Sequence, residues 1–412
     1  MILHLLIMIQ TDICIIGAGP AGVATSLTLS KMKIHHIILD AAIFPRDKIC
    51  GDGLDTTVMR VLNSIEPGCV EKEILTNEHF TKGYSFLIHV SETKKTLIEL
   101  PNTKSKNQYP IFCYCKRSYF DNYLVSKLDP QYAQIFQSAK VEKIMNETAE
   151  KIVFVNHAGT RIQIKAKLLV GADGAHSVLV KSLGVQKIDR NHYAGALRQY
   201  WKGISGLQAN HLELYLPKSL PMGYLWIFPL PNGEANVGLG MQSALMAKNK
   251  IDLKKAMTEL IENDPVFKDR FKNATALETK QGYGLPLASL QKKIYGDGWL
   301  LTGDAASLIC PTTGEGIGPA MLSGYIAAHF IQRAIQKKDF TADVFKHYDR
   351  EVYKRLKSSI QLYQLMINTS PIFYNFFFNF IIGASIIRKR IFKYLQRKIE
   401  LAYTEKIPVN FN

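Results

Sequence analysis

The sequence predicts an α/β protein: a Rossmann-like domain assembled from discontinuous stretches of chain, a mainly antiparallel β domain inserted into it, and a helical segment at the C-terminus. Three observations carry that expectation. A glycine-rich turn between two apolar strands opens the chain, two glycine–carboxylate turns end apolar strands far downstream, and aromatic-rich alternating stretches lie between them. At 412 residues the chain also exceeds what one hydrophobic core organises. The Rossmann-like domain is expected over 8–80, 116–189 and 289–340, the inserted β domain over 81–115 and 190–288, and the helical segment over 341–412.

Thr11-Asp-Ile-Cys-Ile-Ile16 is a short apolar run of the kind that forms a buried parallel strand. The apolar Met1–Gln10 lacks a basic n-region and a cleavage site, so a secretory signal is not expected. Met8 reads as a plausible start, with Met1–Ile7 a tail outside the fold. Gly17-Ala-Gly19-Pro20-Ala21-Gly22 follows the strand, then a helix-compatible stretch to Met32, then a second strand, Ile34–Leu39, ending in Asp40. This is a complete βαβ unit with a dinucleotide fingerprint. Gly17 permits the tight turn, Gly19 lets backbone amides approach a pyrophosphate, and Gly22 lets helix and strand pack closely. The helix N-terminus favours phosphate, and Asp40, eighteen residues after Gly22, can accept from a ribose hydroxyl.

Ala166–Val170 is a strand-like run leading into Gly171-Ala-Asp173-Gly174, and Gly298–Thr302 leads into Gly303-Asp304. A carboxylate at a strand end can grip a sugar or ribityl hydroxyl, or simply cap a turn. With the first fingerprint nearly 290 residues upstream, these turns point to a ligand long enough to need several strand ends, and FAD is such a ligand. The interleaved stretches, among them His211–Leu216, Gly223–Pro229 and Ala235–Gly240, read as antiparallel strands.

These residues resemble a known family. Gly17–Gly22, Gly171–Gly174 and Gly303-Asp304 are similar to the three FAD motifs of the para-hydroxybenzoate hydroxylase-like flavoproteins. Phe44–Leu54, containing Arg46, Lys48, Cys50 and Gly51, resembles the segment after the second strand in the geranylgeranyl reductase family. Tyr224-Leu-Trp226-Ile-Phe228-Pro229 with Gly238-Leu-Gly240 resembles that family's substrate-domain signature, and Pro311–Ile317, with Gly314 and Gly316, its flavin-side loop. Lys181 stands where arginine is usual, and Asp40 where glutamate is commoner; neither removes a needed charge.

The resemblance implies an FAD-dependent oxidoreductase that reduces carbon–carbon double bonds of an isoprenoid lipid, either a geranylgeranyl group or a quinone tail. It implies FAD contacts for Arg46, Gly51, Arg117, Gly314, Gly316 and Ile317 and substrate contacts for Tyr224, Trp226, Phe228 and Pro229. It also places Cys50 near the flavin or the double bond, where its thiol would donate a proton or tune the flavin; free cysteines more often simply pack. Amides at the start of the small-residue helix from Ile317 would favour negative charge on a reduced flavin ring. One glycine fingerprint means no separate nicotinamide domain, so electrons are expected from transiently bound NAD(P)H or a reduced carrier protein. The alternative is a monooxygenase or halogenase; the usual halogenase pattern has two tryptophans, and here Trp226 stands alone before Phe228-Pro229.

Hydrophobic residues at 47% and charged residues at 21% exclude a disordered, collagen-like or polytopic membrane chain. Six cysteines are scattered without a metal-like pairing, so no metal and a reducing cytosol are expected. The net charge of +16 suggests an anionic partner. Pro371–Ile387 is an uncharged, aromatic-rich stretch interrupted by Asn375, Asn379, Gly383 and Ser385, and Arg388–Lys398 carries six basic residues in eleven. Residues 371–398 therefore read as a peripheral contact with the inner face of the cytoplasmic membrane, or as a buried helix followed by a solvated one. Nucleic acid is not expected, because the charge adjoins an apolar stretch rather than repeated nucleic-acid motifs.

Overall fold

A computed structural model describes residues 7–89, 95–99, 109–146, 150–185, 188–368 and 385–411. Five strands form a parallel sheet in the order Trp299–Leu301, Thr160–Gly171, Ile7–Ile16, His36–Leu39 and Ala133–Phe136. Ile13, Cys14 and Ile15 are fully buried, as a central strand covered on both faces requires. The first strand begins at Ile7, so Ile7 and Met8 pair with Ile162 and Gln163 although both stay more than half exposed. The expected tail therefore already enters the sheet at its last residue. Ala139–Met145 and Lys151–His157 extend the same sheet antiparallel from Thr160–Gly171.

Two helices cover the centre of this sheet. Pro20–Lys31 starts with proline at its first turn, where the missing N–H costs no hydrogen bond. It packs on Ile317–Lys337, whose Gly324 comes so close that a Cβ there would sit 2.2 Å from the Ala21 carbonyl oxygen. Ala327 and Ala328 continue the small, buried face of that helix.

The second sheet has eight strands, ordered Thr275–Ala276, Tyr193–Lys202, Glu234–Gln242, Tyr224–Pro229, His211–Tyr215, Ser85–His89 and Lys95–Glu99, with Gln281–Pro286 also paired to Tyr193–Lys202. It is antiparallel except where Ser85–His89 runs parallel to His211–Tyr215. One face rests on Leu253–Asn263, a helix capped by Asp252, which accepts from the Lys254 and Lys255 amides. Thr81–Gly83 and Phe112–Tyr114, expected within this β domain, instead join Gly53–Asp55 in a separate three-stranded sheet.

The C-terminal segment supplies Tyr348–Ile367 and Ser385–Thr404. The latter packs on Thr56–Ile65, buries Ile399 and Ala402, and exposes Arg390, Lys393, Tyr394 and Arg397. Residues 371–384, the apolar part of the expected membrane contact, lie outside the described residues. No helix among the described residues is long and apolar enough to cross a membrane.

Because Gly324 sits at the closest approach of the two covering helices, Gly324→Ala must force them apart. Overpacking of this kind costs about 1–3 kcal/mol, so the urea midpoint should fall by that equivalent while the m-value is retained.

Candidate functional site

The site grows from three turns at the carboxyl ends of neighbouring parallel strands. The Gly17 amide donates to the Leu39 carbonyl at 2.7 Å, the Ala172 amide to Ile16 at 2.8 Å, and the Thr302 amide to Gly171 at 2.9 Å. The turns are thus held side by side although they come from distant parts of the chain. Gly17 adopts φ +100°, and a Cβ on Gly22 would lie 1.8 Å from the Gly17 carbonyl oxygen, so both positions require glycine. Open α/β sheets place ligands in the crevice outside such strand ends.

A cavity of about 750 Å³ runs from these turns to the face of the antiparallel sheet. One wall carries Gly17, Gly19, Pro20, Ala21, Asp40, Asp173, Gly174 and Asp304. Asp40 accepts from the Ala18 amide at 2.8 Å and the Ala42 amide at 2.9 Å, and so ties the glycine turn to the second strand. Asp173 Oδ2 accepts from the Val178 amide at 2.7 Å, and its buried Oδ1 has no hydrogen-bond partner. Burial pushes the Asp173 carboxyl up, against the hydrogen bonds from Ser177 and Val178. Burial likewise raises Asp304, which Lys48 and Arg117 draw back down.

Positive charge gathers beside this wall. Arg117 is 6% exposed and donates to both oxygens of Asp121, at 2.6 and 2.7 Å, while Arg46 donates to the same carboxylate at 2.9 Å. Two guanidinium groups sharing one carboxylate leave a net positive charge, suited to a pyrophosphate. Lys48 lies 3.1 Å from the centroid of the Tyr283 ring. Burial, then the neighbouring Arg117, push its ammonium down to about 8, against the pull of Asp304 and Cys50. Cys50, a free, partly exposed cysteine near enough to Arg117 to act on its charge, lines the cavity with Gly51.

The opposite wall is mostly apolar, with Arg198 and Gln242 as polar members from the neighbouring strands. Strand periodicity puts Tyr224, Trp226 and Phe228 on the cavity face, with Leu225 and Ile227 behind them in the core over Leu253–Asn263. Pro229 shares the parity of Leu225 and Ile227 and does not line the cavity. Leu212, Leu214 and Leu216 widen the apolar wall, and Tyr363 and Met366 reach it from the last turns of Tyr348–Ile367. The Tyr224 hydroxyl donates to the Thr313 carbonyl, joining the sheet to the Pro311–Gly316 loop. Gly314, Gly316 and Ile317 line the cavity from that loop. Burial and the nearby Asp55 raise the Glu315 carboxyl, and Lys398 from Ser385–Thr404 opposes them.

Most residues singled out in the sequence therefore meet in one cavity. Gly22, Gly303 and Pro229 stand outside its lining: the first two permit close packing behind it, Gly303 with φ +56° and its Cβ position 3.0 Å from Ala21 Cβ. Sequence reasoning did not assign Lys48 or Asp121. Lys48 sits two residues before Cys50, and Asp121 one helical turn after Arg117, a spacing that brings opposite charges together. The partnerless Asp173 oxygen, the shared-carboxylate arginine pair and the glycine turn fit the hydroxyls and pyrophosphate of FAD.

Comparisons with known proteins agree. Residues 10–236 match the FAD binding domain family, and residues 194–283 match the geranylgeranyl reductase catalytic domain. The chain is 30% identical over 342 residues to a digeranylgeranylglycerophospholipid reductase of Methanocaldococcus jannaschii, covering 82% of this chain and 81% of the relative. It is 27% identical over 372 residues to a menaquinone reductase of Mycobacterium tuberculosis, covering 88% and 87%. Among solved structures, a geranylgeranyl bacteriochlorophyll reductase-like protein of Thermoplasma acidophilum superposes with a TM-score of 0.79 at 22% identity, covering 97% of this chain and 98% of that one. A flavin-dependent brominase shares the fold with a TM-score of 0.74 at 20% identity, covering 94% and 93%. With its FAD-binding turns, its apolar sheet wall and a 30% identical relative matched over most of both lengths, the chain belongs to the geranylgeranyl reductase family of FAD-dependent oxidoreductases.

Proposed function

We propose that this chain saturates carbon–carbon double bonds in an isoprenoid chain, carried by a glycerophospholipid or a quinone. The observation that carries this reading is the two-walled cavity: polar strand-end turns face an aromatic and aliphatic sheet across one continuous space of about 750 Å³. A pocket of that size and character suits a flexible hydrocarbon held against a planar cofactor. The named relatives support it, since they are reductases of isoprenoid lipids and of menaquinone. The likeness to the brominase is one of fold, and the catalytic-domain match favours reduction over halogenation.

Bound reduced FAD supplies the hydride that reaches one carbon of the double bond. The residues of the chain do the rest. Gly17, Gly19, Pro20, Ala21 and Gly22 shape the turn that takes the pyrophosphate, with Arg46 and Arg117 balancing its charge. Asp40 keeps lone pairs for a ribose hydroxyl beyond its two backbone bonds. Asp173, Gly174 and Asp304 receive the remaining hydroxyls, Gly303 lets the turn before Asp304 pack closely behind them, and Gly51, Gly314, Gly316 and Ile317 allow close approach to the ring. Tyr224, Trp226 and Phe228 exclude water from the reacting carbons. The second carbon needs a proton. The Cys50 S–H bond breaks to give it, leaving a thiolate beside the Arg117 guanidinium until solvent reprotonates it. Electrons reach the flavin from NAD(P)H or a reduced carrier protein.

Exposed Arg390, Lys393 and Arg397 on Ser385–Thr404 support a peripheral contact with an anionic leaflet, the surface on which an isoprenoid lipid would be met.

Three outcomes follow. Asp304→Ala should weaken FAD binding to the apoprotein, read by flavin fluorescence titration, by the about 1.5–3 kcal/mol of a charged hydrogen bond. Cys50→Ser should slow alkene reduction by at least about 100-fold, the lower range for a general acid, with the flavin spectrum and Tm unchanged. Normal turnover in that variant would return Cys50 to a packing role. Changing Arg390, Lys393 and Arg397 together to Gln should weaken sedimentation with anionic vesicles by about two orders of magnitude at low salt, at about 1 kcal/mol per charge. Flavin content should be unaffected.

A further inference from the structure

Asn236, on the central strand Glu234–Gln242 and fully buried, makes three hydrogen bonds to two different parts of the cavity wall. Its Oδ1 accepts from the Trp226 indole Nε1 at 3.0 Å. Its Nδ2 donates to the Cys50 carbonyl at 2.8 Å and to Asp52 Oδ2 at 2.9 Å. An indole N–H only donates, while a carbonyl and a carboxylate only accept, so the group between them must offer both an acceptor and a two-proton donor. Among side chains of this length, only asparagine does.

Behind it, Asp52 is fully buried with φ +64°, and its Oδ2 also accepts from the Tyr200 hydroxyl at 2.7 Å. Its Oδ1 is buried without a partner. Neither Asn236, Asp52 nor Tyr200 lines the cavity, whereas Cys50 and Trp226 do. The fit is tight in front as well, since a Cβ on Gly51 would lie 3.3 Å from the Phe228 ring.

We infer that Asn236, held by Asp52 and Tyr200, is a positioning residue that locks the Cys50–Gly51 turn to the Trp226 wall, so that cofactor loop and substrate sheet keep one fixed separation. Its consequence for turnover rests on the reductase reading above; the lock itself does not. The groups facing Asp52 are Tyr200, Arg198, Arg117 and Cys115. Burial pushes its carboxyl up to about 6, while Asn236, Tyr200 and the two arginines draw it down. The charged form makes the stronger bonds, so the lock is tight above that pH and slackens as protonation removes the charge.

The test uses full-length, FAD-loaded protein and amide hydrogen exchange read by mass spectrometry. Asn236→Asp is isosteric but puts a second carboxylate against Asp52 and removes the donor to Cys50. At pH 8 the amides of both 48–54 and 224–229 should exchange at least about tenfold faster than in wild type, with 13–16 unchanged. As the pH is lowered toward 6, a proton shared between the carboxylates should restore protection of these amides in Asn236→Asp itself, after correction for the intrinsic pH dependence of exchange, whereas a purely structural defect would leave the variant's protection unchanged. With dithionite as reductant and a geranylgeranylated glycerophospholipid in detergent, turnover should follow the same inverted pH course, opposite to wild type. Should Asn236→Asp not fold, Tyr200→Phe removes one bond to Asp52 and should move the wild-type loosening of 48–54 to higher pH. Unchanged protection of 48–54 in the folded Asn236→Asp protein, or an unmoved profile in Tyr200→Phe, overturns the inference. Coupled loosening in a protein whose wild type reduces no lipid would uphold the lock and refute the substrate reading instead.

Discussion

The backbone bonds Gly17 to Leu39, Ile16 to Ala172 and Gly171 to Thr302 join the carboxyl ends of four parallel strands into one edge, and the polar wall of the cavity takes its place from that edge. Parallel strands end together on one side of a sheet, and their connections must cross back over it. The turns leaving that side therefore converge, whatever their separation along the chain. Gly17 and Gly22 keep the first turn compact, and Gly324 lets the second covering helix come down on the first. With larger side chains there the helices would stand off the sheet, and the crevice would lose its depth.

Desolvated charge gives that crevice its character. Arg117 and Asp121 are buried together, an arrangement that is costly unless every donor and lone pair is used. Here Arg46 makes the carboxylate serve two cations, and the surplus charge is left facing the cavity. Lys48, pushed down by burial and by Arg117, belongs to the same crowding. An anionic ligand relieves that crowding, which is why a pyrophosphate suits the site so well. Across the space the sheet offers no charge on the strand Tyr224–Pro229, and its three aromatic rings leave an apolar chain as the natural occupant.

The two walls meet at Cys50 and Trp226, and the contact between them is polar and buried. Asn236 spans the junction with one amide, and Asp52 and Tyr200 hold that amide from behind. A polar network of this kind fixes geometry more sharply than apolar packing, because each bond has a direction. The Tyr224 hydroxyl, bonded to the Thr313 carbonyl, makes a second bridge from the sheet to the loop preceding Ile317–Lys337.

Local physics was legible in the sequence. The turn at Gly17–Gly22, the strands on either side of it, the helix from Ile317 and the strand at Tyr224–Pro229 each follow from the periods and steric needs of adjacent residues. Those properties depend on near neighbours alone, so the chain order contains them. The parallel pairing of Ser85–His89 with His211–Tyr215, and the separate sheet that takes Thr81–Gly83 and Phe112–Tyr114, were not legible. Strand partners are chosen by contacts between segments far apart in the chain, as where Gly83 pairs with Phe112 and His89 with Tyr215, and alternation reads the same for either neighbour. The roles open to Asn236 and Asp52 were decided in the same way, since an asparagine on a strand and an aspartate in a turn are ordinary until folding removes the water around them. By itself the sequence determined most of the elements and the cofactor class; the tertiary structure alone decided that Pro229 turns away from the cavity and which distant groups share a desolvated space, because hydrogen bonding and charge acquire their strength there only after solvent has been excluded.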